Sequence, residues 1–286
     1  MDHVAALSAL LAPGGRLLSL PGCWDGLSAL LIEKAGFPAA FVTGGGIAMA
    51  RLGRPDIGLV TATEAADTIA AIRDRVDIPL IADGDTGFGN ALTLARTVRA
   101  FERAGASAIQ IEDQGFPKRC GHMAGKTVVP PAEAAGRIRA AVDSRDAMLV
   151  VARTDALAIE GLNAALDRAE AYLEAGADLL FVEGPRDMDE LRAVADRFAG
   201  RAPLVHNLVE GGVTPTTDGH VLERMGFRVA LHPLLLMHGL VAAAPEWLAH
   251  LAVHRTTDGL PLARLADMNA LTGAAGLIAL GDSYAR

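Results

Sequence analysis

The chain has 286 residues, 51% of them apolar and 21% charged, and a formal net charge of −8. These figures allow a sizeable core in one large α/β domain or two small ones. They exclude global disorder, argue against a nucleic-acid surface and give no support for an anionic membrane surface. The two cysteines, Cys23 and Cys120, suit a reducing compartment rather than a disulfide scaffold. Met1-Asp2-His3-Val4 lacks the basic-then-apolar form of a signal peptide, and no unbroken apolar run reaches about 18 residues. A cytoplasmic protein without a membrane span is the expectation.

Short apolar runs recur along the chain, each followed by a polar or glycine-rich turn and then a helical pattern. The first is Leu17-Leu18-Ser19-Leu20, with Pro21-Gly22-Cys23-Trp24-Asp25 as its turn and a helix from Gly26 to Ala35 stopped by Gly36. Ala39 to Val42 leads into Thr43-Gly44-Gly45-Gly46 and a long connection holding Arg54-Pro55-Asp56. Thr63 is expected to cap a helix from Glu64 to Val76. Pro79 to Ala82 leads into Asp83-Gly84-Asp85, and a helix spans Ala91 to Ala104. Ala108 to Ile111 ends in Glu112-Asp113, then Lys118-Arg119-Cys120-Gly121-His122; Pro131 opens the next helix. Met148 to Ala152 precedes Arg153. A helix from Leu162 to Ala175 and the run Leu179 to Val182 follow, the latter ending at Glu183. A helix from Met188 to Phe198, the run Pro203 to Leu208 with Asn207 and Glu210, and Arg228 to Leu231 complete the pattern.

Eight strands alternating with helices, each strand apolar throughout, indicate a parallel sheet covered on both faces. The count of eight points to a closed (β/α)8 TIM barrel, with an open doubly wound sheet as the second choice. No linker divides the chain, so a single barrel domain over 1–286 is expected, with a C-terminal extension from about 235 to 286. Nearly every reactive group falls just after a strand, on the rim where barrel active sites lie. So many acids there would repel one another unless a cation sat among them.

Asp83 and Asp85 suit a hard divalent cation held by few protein ligands and several waters, with Asp56 and Glu112 able to join it directly or through water. Thr43, Gly44 and Gly45 can bring backbone N–H groups to a ligand carboxylate. Arg153 can clamp a substrate carboxylate bidentately, or pair with Glu183. Cys120, beside Lys118, Arg119 and His122, has the surroundings of a usable thiol. Cys23 lacks basic neighbours and reads as packing.

Lys118-Arg119-Cys120-Gly121-His122-Met123 resembles the signature of the isocitrate lyase/phosphoenolpyruvate mutase superfamily. Asp83 through Asn90, Gly45 through Asp56, Ala152 through Asp155 and Asn207 through Gly212 match it in order. The resemblance implies a barrel whose last helix swaps onto a neighbouring subunit, a homotetramer built from dimers, and Mg2+ (or Mn2+) near Asp83, Asp85 and Asp56. It implies an α-keto acid or its enolate held by Thr43, Gly44, Gly45 and Arg153, with Glu183, Asn207 and Glu210 nearby. Lyases of this family keep the thiol loop, so Cys120 favours a carbon–carbon lyase of the methylisocitrate or dimethylmalate type. Cys120, Lys118, Arg119, His122 and Glu112 are then the catalytic group. A phosphonomutase, an oxaloacetate decarboxylase or hydrolase, and a non-catalytic keto-acid-binding barrel are the alternatives.

Overall fold

The computed structural model describes residues 2–121, 123–212 and 214–285; His122 lies outside the described residues. The chain forms two compact units, Met1–Met237 and His238–Arg286.

The first unit is a closed barrel of eight parallel strands in sequence order. They are β1 (Leu18–Cys23), β2 (Ala40–Val42), β3 (Leu80–Asp83), β4 (Ala108–Glu112), β5 (Leu149–Thr154), β6 (Leu179–Val182), β7 (Leu204–Asn207) and β8 (Val229–His232). Closure comes from β1 against β8, with Leu18 opposite Val229 and Pro21 opposite His232. Pro21-Gly22-Cys23, expected as a turn, continues β1. Gly22 permits this, because a Cβ there would lie 1.9 Å from the Pro233 carbonyl oxygen.

Six covering helices lie within two residues of their expected ends at most positions: Gly26–Lys34, Ala62–Arg73, Ala91–Arg103, Pro131–Ser144, Leu162–Glu174 and Met188–Phe198. The cap of Ala62–Arg73 is Thr61, not Thr63. Thr61 and Glu64 form a reciprocal capping box, with the Glu64 N–H 3.3 Å from Thr61 Oγ1 and the Thr61 N–H 2.9 Å from Glu64 Oε2. An additional helix, His3–Leu10, is capped by Asp2. Leu7 and Leu11 join a buried cluster with Leu18, Ala108, Leu179 and Val229, the first residues of their strands or close to them. The N-terminal segment therefore plugs the end of the barrel opposite the rim.

The interior apolar set also includes Phe41, Ile81, Val151, Phe181, Val205 and Leu231. Side chains along a strand return to the same face every second residue. Two positions further on stand Thr43, Asp83, Arg153, Glu183, Asn207 and Pro233, and the series from Ala108 reaches Glu112 in two such steps. The same alternation that fills the core thus aims the polar groups into the barrel's C-terminal mouth.

The second unit comprises most of helix Leu235–His254 together with Leu265–Thr272 and Ala274–Tyr284, the latter two without a buried residue. Leu235–His254 has 20 residues and a mean hydropathy of 1.2, long and apolar enough by length and composition to cross a membrane. His238, Glu246 and His250 interrupt it, so it holds no unbroken apolar run of that length.

Candidate active site

The cleft at the mouth is lined by Thr43, Gly45, Asp56, Asp83, Glu112, Lys118, Arg119, Cys120, Gly121, Arg153 and Asn207, along with several apolar residues. Eleven positions singled out from sequence, contributed by strands β3, β4, β5 and β7 and the segments after β2 and β4, therefore meet in one space.

The rim acids fall into two groups, each built around a cation. In the first, the Lys118 ammonium sits 2.7 Å from Asp85 Oδ1 and is hydrogen-bonded to Asp56 Oδ1. The three aspartates outweigh the burial that would otherwise favour the neutral amine, so Lys118 stays charged well above the ordinary lysine range. Asp85 is pushed up to about 7, first by burial, with Asp83 and Asp56 adding to the effect and Lys118 opposing it. Three carboxylates around one ammonium leave a formal deficit of positive charge, which adds to the effect of burial on Asp85.

This group has the donors for a divalent cation. A Cβ at Gly44 would lie 3.0 Å from Asp83 Oδ2 and 3.5 Å from Asp85 Oδ1, and one at Gly45 would lie 3.5 Å from Asp56 Oδ2. The missing side chains of two consecutive glycines leave space that three carboxylates border. Among the described residues no three His, Cys, Asp or Glu side chains form a closed ligand set. Two carboxylates with waters and substrate completing the shell is the pattern Mg2+ favours. Asp83 and Asp85 do not converge by strand alternation, as the sequence suggested. β3 ends at Asp83, and Asp85 turns back with a left-handed φ of 46°. The Gly44 N–H donates to Asp83 Oδ2 at 3.3 Å, so it braces a carboxylate in this arrangement. The Thr43 hydroxyl accepts from the Gly46 N–H at 3.2 Å.

The second group surrounds Arg153. Its Nε and NH2 grip Asp155 at 2.9 and 3.1 Å, Glu183 Oε2 lies 3.4 Å from NH2, and Glu112 Oε2 lies 3.5 Å from Nε. The guanidinium also stacks 5.0 Å from the centroid of Phe181. Burial holds the Glu112 proton affinity well above the usual carboxylate range, although Arg153 opposes it. Its Oε1 is buried without a hydrogen-bond partner among the described residues. Asn207 Nδ2 donates to Glu183 Oε2 at 2.8 Å, so Glu183 lies beneath the cleft as a support for Asn207 and Arg153. Glu210 is exposed on the loop after β7 and does not line the cleft.

The thiol loop is fastened at several points. The Gln114 side chain brackets Arg119, accepting from its N–H and donating to its carbonyl at 2.9 Å each. The Cys120 N–H donates to the Asp56 carbonyl at 3.1 Å. The Arg119 guanidinium turns back onto the Ala124 carbonyl at 2.9 Å. Gly121 is required by close approach: a Cβ there would meet Arg153 NH2 at 2.4 Å and Glu183 Cδ at 2.9 Å. Cys120 is partly exposed in the cleft, whereas Cys23 is buried with its thiol pushed up to about 12 by burial.

Sequence reasoning passed over Gln114, Lys126 and Asp155 as site residues: Gln114 acts within its own loop, Asp155 grips Arg153 two residues before it, and Lys126 reaches Asp155 from 29 residues away. It paired Asp113 with Glu112, yet adjacent strand residues face opposite sides. Asp113 points outward, accepting from Tyr172 and Thr154 hydroxyls at 2.7 Å each.

The mouth is polarised. Most carboxylates and cations come from β3 to β6 and the loop after β4, with Asp56 added from the connection after β2, while Phe41, Met49, Pro55, Val209, Pro233 and Leu234 supply an apolar wall from the β7, β8 and β2 side.

The family description of phosphoenolpyruvate phosphomutase matches residues 7–251. A 2,3-dimethylmalate lyase of Eubacterium barkeri is 37% identical over 289 residues, covering 100% of this chain and 99% of its own length. A 2-methylisocitrate lyase of Bacillus subtilis (strain 168) is 40% identical over 253 residues, covering 88% of this chain and 83% of its own. An oxaloacetate acetylhydrolase solved with the inhibitor 3,3-difluorooxalacetate superposes with a TM-score of 0.94 at 32% identity, over 99% of this chain and 97% of that one. The chain belongs to the phosphoenolpyruvate mutase/isocitrate lyase superfamily.

Proposed function

We propose that this protein is a divalent-metal-dependent carbon–carbon lyase that cleaves a substituted malate into an α-keto acid and a second carboxylate. The observation that carries the reading is Cys120 in the same cleft as Asp83, Glu112 and Arg153. Mg2+ held by Asp83 and Asp85, with Asp56 nearby, would supply a Lewis acid for the oxygens of the keto-acid fragment.

The chain's own residues do the rest. Arg153 binds a substrate carboxylate, and Thr43, Gly44 and Gly45 shape the space beside it. Glu112, with raised proton affinity and a buried oxygen that has no partner among the described residues, accepts the substrate hydroxyl proton as the carbon–carbon bond breaks in a retro-aldol sense. The electron pair of that bond stays on the departing fragment as a carboxylate-stabilised carbanion. Cys120 delivers its thiol proton to that carbon, with Lys118, Arg119 and His122 setting the local charge. Closure of the loop keeps water from the carbanion. The apolar wall opposite suits alkyl substituents on the malate, as in the names of the dimethylmalate and methylisocitrate lyases. Glu210 approaches the substrate only if its loop moves inward.

We further propose a cytoplasmic homotetramer, a dimer of dimers, with the C-terminal extension swapped onto a neighbouring copy. Leu240, Val241, Leu248, Val253, Leu265, Leu277 and Ile278 are each at least half exposed, and a second copy would cover them.

The test is a screen of substituted malates with Mg2+ for release of pyruvate or glyoxylate. Release from at least one, abolished by chelation, is the expected result. Release of oxalate and acetate from oxaloacetate alone would favour the hydrolase reading, which the superposition on oxaloacetate acetylhydrolase supports.

A further inference from the structure

Lys126 lies just beyond the thiol loop and has no part in the reaction as drawn above. Its side chain is only 5% exposed. Its ammonium donates to Asp155 Oδ1 at 3.0 Å and to the carbonyl of Gly121, the residue after Cys120. Asp155 is itself buried and holds Arg153 bidentately. The Asp155 N–H is fixed by Asp113 Oδ1 at 2.8 Å, and Asp113 is fixed by Tyr172 and Thr154. One carboxylate thus carries the guanidinium on one side and, through Lys126, the backbone of the thiol loop on the other.

A buried lysine is a poor device for stability alone. Its ammonium must be desolvated and its four-carbon stem ordered, and apolar replacements of buried ion pairs are often neutral or stabilising. What the arrangement does provide is a fixed distance. Gly121 approaches so near that a Cβ would touch both Arg153 and Glu183, so a small slip of this segment changes where Cys120 stands relative to the clamp.

We propose that Lys126 is a positioning residue, which ties the Gly121 carbonyl to Asp155 and so holds Cys120 at a set distance from Arg153. The effect on turnover rests on the lyase reading; the geometric claim does not.

The test compares Lys126→Met and Lys126→Arg with the wild-type protein, reading two quantities. The first is the rate at which iodoacetamide alkylates Cys120, followed by mass spectrometry, which requires no turnover. The second is the split between kcat and KM on whichever substituted malate the wild type cleaves. Lys126→Met should change the alkylation rate severalfold and lower kcat about 100-fold, the scale of a small misplacement of a reacting group, with KM nearly unchanged. Lys126→Arg should recover much of both. An alkylation rate in Lys126→Met indistinguishable from wild type overturns the proposal. So does a Lys126→Arg no better than Lys126→Met, or a Lys126→Met that fails to fold. If the wild type cleaves no malate while the alkylation rates still differ, the lyase reading falls and the positioning role stands.

Discussion

Lys118 Nζ lies 2.7 Å from Asp85 Oδ1, so the signature loop delivers an ammonium into the carboxylates proposed to hold a metal. Replacing it with Met leaves Asp56, Asp83 and Asp85 facing one another. Removing one partner of such a buried pair costs on the order of 3–5 kcal/mol. Lys118→Met should therefore melt well below the wild type without added metal and regain part of the loss in MgCl2. Thermal melts with and without Mg2+ check this, and a loss that Mg2+ leaves untouched would contradict the cation deficit described for the cluster.

Gly44→Ala should separate binding from folding. The new methyl would stand 3.0 Å from Asp83 Oδ2, inside the space assigned to the ion and keto acid. Calorimetry with Mg2+ and oxalate, an enolate mimic, should show binding weakened by about tenfold or more, equivalent to about 1.4 kcal/mol. Unchanged binding would remove the metal from this place.

The two thiols should behave differently. Cys23 is buried and its thiol is pushed up to about 12, while Cys120 is partly exposed in the cleft. Iodoacetamide should label Cys120 alone in the native protein, with loss of turnover in step. Cys120→Ser should lower kcat by roughly 100-fold or more, the range of general acid–base contributions, and retain oxalate binding. Labelling of Cys120 without loss of activity would count against the proton-donor role.

Asp155 sets a pH dependence. Burial opposes its ionisation, but Arg153 and then Lys126 hold it down at about 2, against an ordinary 3.8. Between those values the unfolded chain binds the proton and the folded one does not, so stability rises with pH there. The contribution is present above about pH 4 and is lost as pH falls toward 2, on the order of 2 kcal/mol in all. Asp155→Asn should be less stable than wild type to urea at pH 5, by a margin that narrows at pH 3. A margin independent of pH would assign the role to packing alone.

The strands and rim residues are legible because one periodicity serves both. Apolar runs mark the strands, and the next inward position after Ile81, Val151, Phe181 or Val205 is a site residue. Pro21-Gly22-Cys23 misleads because proline and glycine signal a turn, while here proline fits the strand and glycine accommodates Pro233. Gln114 and Lys126 carry no local pattern, and Asp155, though it closes the motif from Ala152, shows its hold on Arg153 only in the fold. Lys126 and Asp155 meet from 29 residues apart. Spacing alone could not assign them.

The positive φ of Asp85 has its own consequence. Glycine would occupy that backbone shape more comfortably, by roughly 1 kcal/mol or more. An Asp85→Gly protein should therefore relax locally even as it loses its acid. That relief is smaller than the roughly 3–5 kcal/mol lost when one partner of a buried pair is removed, so the carboxylate keeps its unfavourable backbone shape because Lys118 stands against it.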